Sequence, residues 1–329
     1  MNSSDTHVIF GTGPLGQAVM RALVARGTPV RMVNRSGRAD VPAGVEVVAG
    51  DAYNADSVAA LTRDAAVVYQ CAQPAYHEWV EKFSPLQAAI VEGVSRNNAK
   101  LVVGDNLYMY GRVNGLIREN LPSAATTKKG RVRAQMAEAL LEAHTRGVVR
   151  VAIGRGSDFY GAGVLASGMG ERVFYPALAG KAVQMIGKLD VPHTYTFIDD
   201  FGRALVTLGE HDEALGRAWH VPSGETLTTR QFLTLVFEES GHEPKILVAP
   251  ELLFRALGLF ERNLREISEM LYQWNEPHVV DHGDFERAFG NTATPNREAI
   301  RQTVAWFRSH PKTAAEAGPA QPQAARARR

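Results

Sequence analysis

The chain has 329 residues, 45% of them hydrophobic, which is ample for one large domain or two unequal ones. Its formal net charge is +1, with 36 Lys and Arg against 35 Asp and Glu mixed along the chain, so no basic face argues for nucleic acid and no acidic tract for a tail. No stretch is apolar enough to span a bilayer, there is no basic leader, and the single cysteine, Cys71, rules out an internal disulfide; a cytoplasmic protein without a membrane partner is expected.

The chain opens with an apolar run, Val8 to Phe10, that breaks into Gly11-Thr12-Gly13-Pro14-Leu15-Gly16 and then into an amphipathic stretch with Val19, Ala22 and Leu23 at helical spacing. That order predicts strand, tight turn and helix. In a dinucleotide-binding unit the first glycine makes the turn, the second admits a pyrophosphate and the third lets the helix pack on its strand. Strand two follows at Pro29–Val33, strand three at Val45–Val48, a short helix at Ala55–Thr62 and strand four at Ala66–Tyr69. A helical stretch runs from about Tyr76 to Arg96, with a kink or a fresh start expected at Pro85. Strand five is Leu101–Val103, residues 104–127 read as irregular, Lys128–His144 as a helix and Val148–Ile153 as strand six. Val-rich strands separated by helical crossovers predict an α/β fold with a doubly wound parallel sheet and helices on both faces.

Beyond residue 155 the pieces lengthen. Strands are expected at Val183–Ile186, Tyr195–Ile198 and Ala218–Val221, and helices near Asp200–Leu208, Thr229–Glu239, Pro250–Tyr272 and Glu298–Arg308. The domain reading is a nucleotide-binding unit over residues 1–155, its core regaining strands from 183–222, then substrate-binding and closing segments over 156–311. Residues 312–329, rich in Ala, Pro, Gln and Arg, read as a disordered tail.

Strand two ends in Val33-Asn34-Arg35-Ser36-Gly37-Arg38, where an NAD-binding unit carries an acid for the ribose hydroxyls. Here Asn34 is neutral, and Arg35 and Arg38 with Ser36 suit a 2′-phosphate, so NADP(H) is the expected cofactor. The alternative is a pair of solvated loop arginines. Asp51 at the end of strand three is a candidate adenine contact or a turn residue, and Ala72, just past strand four, is counted with the cofactor residues.

At this point the chain resembles the extended short-chain dehydrogenase/reductases of the epimerase/dehydratase group. The resemblance rests on GTGPLG, Gly50-Asp51, Tyr110-Gly111, Gly154-Arg155 through Asp158-Phe159-Tyr160-Gly161, TFIDDFGRAL at 196–205, WHVPSGETLT at 219–228 and the run from VVDHGDFERAFG to TPNREAIRQTVAWFR. It implies a Rossmann domain with a smaller C-terminal α/β domain closing over a small-molecule substrate. It also implies a homodimer as one reading, for which Trp79, Val80 and Ile90 serve as well as they serve a core. The family's serine or threonine before the Tyr-Gly pair falls on Asn106, and its Tyr-x-x-x-Lys, placed by the following glutamate, falls on Gly130 and Ala134. Neither can move a proton.

Three routes stay open. Tyr108, Asn106 or His193 supplies a nonstandard proton or hydrogen bond, with Lys128, Lys129 and Arg133 nearby; the reaction is one, such as conjugate reduction, that needs little acid catalysis; or the protein binds NADP without turnover. The expected activity is NADP(H)-dependent hydride transfer to or from a small carbonyl or enone, with a nucleotide-sugar epimerase/dehydratase as the alternative. Tyr110 reads as a packed aromatic, Cys71 as a packing residue, and His193 as either a pocket residue or an exposed loop histidine. Asp199 and Asp200 read as helix cap and first-turn acids, and His278, Asp281 and His282 as loop residues rather than metal ligands.

Overall fold

The computed structural model describes residues 6–249 and 269–312. Most of the helix expected over Pro250–Tyr272, and all but Lys312 of the expected tail, lie outside the described residues.

The strands are β1 (Thr6–Phe10), β2 (Val30–Asn34), β3 (Glu46–Ala49), β4 (Ala65–Gln70), β5 (Lys100–Asp105), β6 (Leu116–Ile117), β7 (Arg150–Arg155), β8 (Asp158–Tyr160), β9 (Val183–Ile186), β10 (Pro192–His193), β11 (Tyr195–Phe197), β12 (Ala218–His220), β13 (Leu227–Thr228), β14 (Ile246–Ala249) and β15 (Val279–Val280). The helices are α1 (Pro14–Val24), α2 (Ala55–Leu61), α3 (Trp79–Ser95), α4 (Lys128–Thr145), α5 (Glu171–Leu178), α6 (Ile198–Glu210), α7 (Thr229–Ser240), α8 (Tyr272–Asn275), α9 (Gly283–Phe289) and α10 (Asn296–Ser309). No helix among the described residues is long and apolar enough to cross a membrane.

Seven parallel strands form the central sheet in the order β12-β7-β5-β4-β1-β2-β3, the Rossmann arrangement expected from the alternating pattern. The apolar runs of its middle strands divide by parity, because successive side chains point to opposite faces. Val8, Phe10, Leu101, Val103, Val151 and Ile153 join α3 and α4 in one core, while Ile9, Val102 and Ala152 join α1 and α6 in the other. Full burial of each such side chain contributes about 1.5–3 kcal/mol. Helices α1 and α6 approach closely because Gly202 has no side chain: a Cβ there would lie 2.5 Å from the Ala18 carbonyl carbon.

The structure corrects several expectations. Pro85 neither breaks nor restarts α3, which follows a 3-10 turn at Tyr76–Glu78; the proline is exposed, and Phe83, Leu86 and Ile90 hold the buried face. Trp79 and Ile90 are in that core, which leaves only Val80 of the three named residues on the surface. Within the stretch read as irregular, β6 pairs in parallel with β15, some 160 residues on. Of the strands expected to return to the core from 183–222, the one at Ala218–Val221 does so as the sheet edge β12, whereas β9 and β11 pair outside the central sheet. There a third core gathers α5, α7 and α10, with Phe174 stacked on Phe307 at 4.9 Å, and a capping box of Thr228 and Gln231 starts α7.

Candidate active site

Strand β1 has β2 on one side and β4 on the other, so the connections leave its carboxyl end in opposite directions and open a crevice between the loops after β1 and β4. Gly11 lines it with φ +105°, and a Cβ there would lie 2.7 Å from Ala72 N and 2.9 Å from Cys71 C. Only glycine allows these two backbones to touch. A Cβ on Gly16 would run into the Gly11 carbonyl oxygen, whereas one on Gly13 would meet nothing within 4 Å. Gly13 caps α1 without a side-chain hydrogen bond, and Pro14 follows at the first helical position. The free N–H groups of the first turn therefore face open space, together with the positive end of the helix dipole: a seat for a phosphate.

Asn34 ties this turn to the loop after β2. Its Nδ2 donates to Thr12 Oγ1 (3.0 Å) and to Arg38 O (2.8 Å), while Oδ1 accepts from Ser36 N, Ser36 Oγ and Gly37 N. Arg35 and Arg38 stand exposed on the loop so fixed, and neither has an ion pair among the described residues. Asp51 is exposed and accepts from Tyr53 N at 2.9 Å, as a turn residue does. Cys71 makes no side-chain contact of chemical interest; burial pushes its thiol far up, which removes the thiolate.

At the end of β5, Asn106 Oδ1 accepts from Tyr108 N (3.1 Å) and shapes a 3-10 turn over Tyr108–Tyr110. Tyr108 packs with Ala72, Tyr76 and Trp79 and hydrogen-bonds Tyr76. Burial first, and then the charge of Asp158 among its neighbours, holds its hydroxyl well above the usual phenol range. Tyr110 points the other way and is structural. Arg155 Nη1 donates to its hydroxyl (2.6 Å), the hydroxyl donates to His220 Nε2 (2.9 Å), and His220 Nδ1 donates to Asp281 O (2.9 Å). Burial lowers His220 to about 4, so the neutral imidazole is the resident form.

None of the nine tyrosines is followed four residues later by a lysine. Gly130 has no room for any side chain: a Cβ would be 2.5 Å from Ala125 Cβ and 2.6 Å from Tyr108 O. Ala134 is partly buried and packs against the small core cluster that includes Leu107, Met109 and Tyr110. Lys129 and Arg133, also four apart on α4 and one position before that pair, are buried as well. Lys129 Nζ lies 4.4 Å from the centre of the Tyr76 ring, and the Arg133 guanidinium lies over Trp79 and Phe83. Arg133 and Arg155 flank one carboxylate, Asp105, each at 3.3 Å. Two guanidiniums against one carboxylate leave this buried group positive.

The last sequence candidate, His193, is not an exposed loop residue. It is fully buried, and its Nε2 lies 3.0 Å from Asp158 Oδ2. Its ring is stacked between Tyr195 (4.6 Å) and His278 (4.9 Å). The histidine is thus tied to Asp158, a pairing across 35 residues that no local pattern signals. Asp199 and Asp200 are first-turn acids of α6, not its cap and not pocket residues: Asp199 pairs with Arg21, and Asp200 accepts from Thr294 and Arg203.

A model of the NAD dependent epimerase/dehydratase family matches residues 8–221. No curated protein matches the sequence. Solved structures with the same fold include Thermus thermophilus UDP-glucose 4-epimerase in complex with NAD (20% identity, TM-score 0.73, covering 92% of this chain and 99% of that one). Bacillus cereus UDP-N-acetylglucosamine 4-epimerase is similar at 15% identity and TM-score 0.75, covering 94% and 98%. A Streptomyces venezuelae dTDP-glucose 4,6-dehydratase double mutant is similar at 15% identity and TM-score 0.73, covering 92% and 96%.

Proposed function

Because the chain belongs to the NAD dependent epimerase/dehydratase family, we propose that it binds NADP(H) on the β1–α1 turn and transfers a hydride to or from a carbonyl carbon of a small metabolite, using a nonstandard proton donor. The main support is the open helix start above Gly13 next to the exposed Arg35 and Arg38. Gly11 to Gly16 would hold the pyrophosphate, Ser36, Arg35 and Arg38 a 2′-phosphate, Asp51 the adenine edge, and Ala72 the backbone side of the crevice. When bound, the dinucleotide supplies or accepts the hydride.

The chain's own residues handle the oxygen. Tyr108 keeps its proton at neutral pH because burial raises it, so its hydroxyl is a donor for a carbonyl oxygen rather than a base. Asn106 Nδ2 has no partner among the described residues and donates to the same oxygen. The positive charge of Lys129 and of the Arg133–Asp105–Arg155 group stabilises an alkoxide formed nearby, in a setting with little water.

A second reading, a nucleotide-sugar epimerase/dehydratase that returns its hydride, is favoured by the family match and by the near full-length likeness to such enzymes. One experiment separates them. NADPH and NADH binding are measured by fluorescence, and then NADPH is incubated with a panel of carbonyl compounds and NADP⁺ with a panel of UDP- and dTDP-sugars. Net NADPH oxidation supports the first reading. Sugar conversion without net cofactor change supports the second, and no binding of either dinucleotide removes both.

A further inference from the structure

We propose that Asp158 is the anchoring carboxylate of the substrate pocket, so that the substrate end it meets carries hydrogen-bond donors, an ammonium group or hydroxyls, and not a phosphate or carboxylate. The inference rests on the hydride-transfer reading above, because it takes the crevice beside Tyr108 as the place where substrate lies.

Strand β8 carries Asp158 and Tyr160 on one face and Phe159 on the other. Phe159 packs with Leu15 of the glycine turn on Ala18, Val164 and Ile198, which fixes the backbone of Asp158 next to the turn. The side chain of Asp158 keeps 17% of its surface exposed, whereas that of His193 behind it keeps 1%. His193 Nδ1 is buried without a hydrogen-bond partner among the described residues, which leaves Nε2 as the nitrogen that donates to Asp158 Oδ2. Stacked between Tyr195 and His278, that ring has nowhere to turn.

Among the described residues the other carboxylate oxygen, Oδ1, has no hydrogen-bond partner and no lysine or arginine pairs with Asp158. The groups that face it are His193, His278, Tyr195, Tyr108 and Tyr272. Burial lowers His278 to about 3, so this neighbour brings no charge at neutral pH. Burial works to raise the Asp158 carboxyl, but the side-chain hydrogen bond to His193 acts against it, and the acid lies below its usual range. The result is an anion with one oxygen spent on His193 and one left without a hydrogen-bond partner among the described residues. Tyr272 adds a buried hydroxyl with no hydrogen-bond partner among the described residues, close enough to feel the Asp158 charge. A carboxylate kept ionised in this way is a poor proton acceptor and a good partner for a donor. An incoming phosphate seated against Asp158 would meet like charge, with no lysine or arginine paired to that carboxylate among the described residues; the Arg133–Asp105–Arg155 group lies on the Tyr108 side. His193 acts through Asp158 and is a positioning residue.

The test uses the full chain with NADPH and three ketones of one size class: aminoacetone, dihydroxyacetone and dihydroxyacetone phosphate. Binding is read by saturation-transfer NMR and turnover by NADPH oxidation. The wild type should favour aminoacetone and dihydroxyacetone over the phosphate by about tenfold or more, the scale of one hydrogen bond to a charged group. Asp158→Asn should lose that ranking, with Asp158→Ser as the second variant should the amide not fold. His193→Gln, which keeps a donor at similar reach, should preserve the ranking, while His193→Ala should weaken it at unchanged NADPH affinity. The proposal is overturned if the phosphate binds as well as the others to the wild type, if the Asp158 variants leave the ranking unchanged, or if none of the three binds. NADPH fluorescence in the same samples distinguishes failure of the anchor, with cofactor still bound, from failure of the hydride-transfer reading.

Discussion

Gly130 offers a sharp test of how the α4 register shapes the site. In an ordinary helix interior, Gly→Ala stabilises by about 1 kcal/mol. Here the added Cβ would lie 2.5 Å from Ala125 Cβ, 2.6 Å from Tyr108 O and 2.7 Å from Thr127 Oγ1. Two of these neighbours are anchored: Ala125 N donates to Met109 O at 3.1 Å, and Thr127 Oγ1 accepts from Gly130 N as the helix cap. Overpacking of this kind costs about 1–3 kcal/mol, and a lost cap about 1 kcal/mol more, so the sign reverses. Gly130→Ala should destabilise by roughly 1–3 kcal/mol net and move the Tyr108 backbone with it. Urea unfolding measures the first effect through the midpoint at unchanged slope. Fluorescence titration with NADPH together with turnover of any accepted carbonyl measures the second. A Gly130→Ala protein as stable as wild type, or more so, would refute the packing argument. The same crowding predicts that Gly130→Tyr with Ala134→Lys does not install a working tyrosine–lysine couple, because no tyrosine can leave this point of the backbone unclashed.

Further consequences follow from the cofactor turn and the buried histidines. Arg35→Ala with Arg38→Ala should weaken NADPH binding by about tenfold or more while sparing NADH, the scale of a charge-assisted hydrogen bond; an unchanged NADPH/NADH affinity ratio would count against NADP. Gly11→Ala should abolish NADPH binding and lower the unfolding midpoint, since φ +105° and the 2.7 Å approach to Ala72 N penalise a side chain twice. His220 sits at about 4 and His278 at about 3, both pushed down by burial, whereas in the unfolded chain each titrates near 6.5. Their neutral forms therefore contribute stability that is complete above the unfolded value and is lost as pH falls toward the folded values, by about 1.4 kcal/mol per unit and group. Unfolding midpoints measured between neutral and mildly acid pH should fall, and His220→Gln should flatten that slope; an identical slope would contradict the assignment. Tyr110→Phe should cost roughly 1–3 kcal/mol, because it leaves Arg155 Nη1 and His220 Nε2 buried without their partner. Equilibrium denaturation checks it.

The sequence by itself determined what depends on neighbours in the chain. Val8 to Phe10 followed by three glycines and an apolar spacing of three and four specifies strand, turn and helix, since each signal lies within about one turn of the next. The parallel sheet follows from alternating strands and crossovers, and the charges of the loop from Asn34 to Arg38 are the sequence ground for the proposed phosphate contact. Tertiary structure decided what depends on distant residues. The register of α4, with Lys129 and Arg133 inward and Gly130 against Tyr108, is set by packing on α3 and the turn after β5. Asp105 lies between Arg133 and Arg155, and Asp158 against His193, only because β5, α4, β7, β8 and β10 bring their ends together. A chain pattern records which faces are apolar; it does not record which of two polar residues meet once those faces are buried. For that reason His193 read equally well as loop or pocket in the sequence, and only the fold placed it behind Asp158.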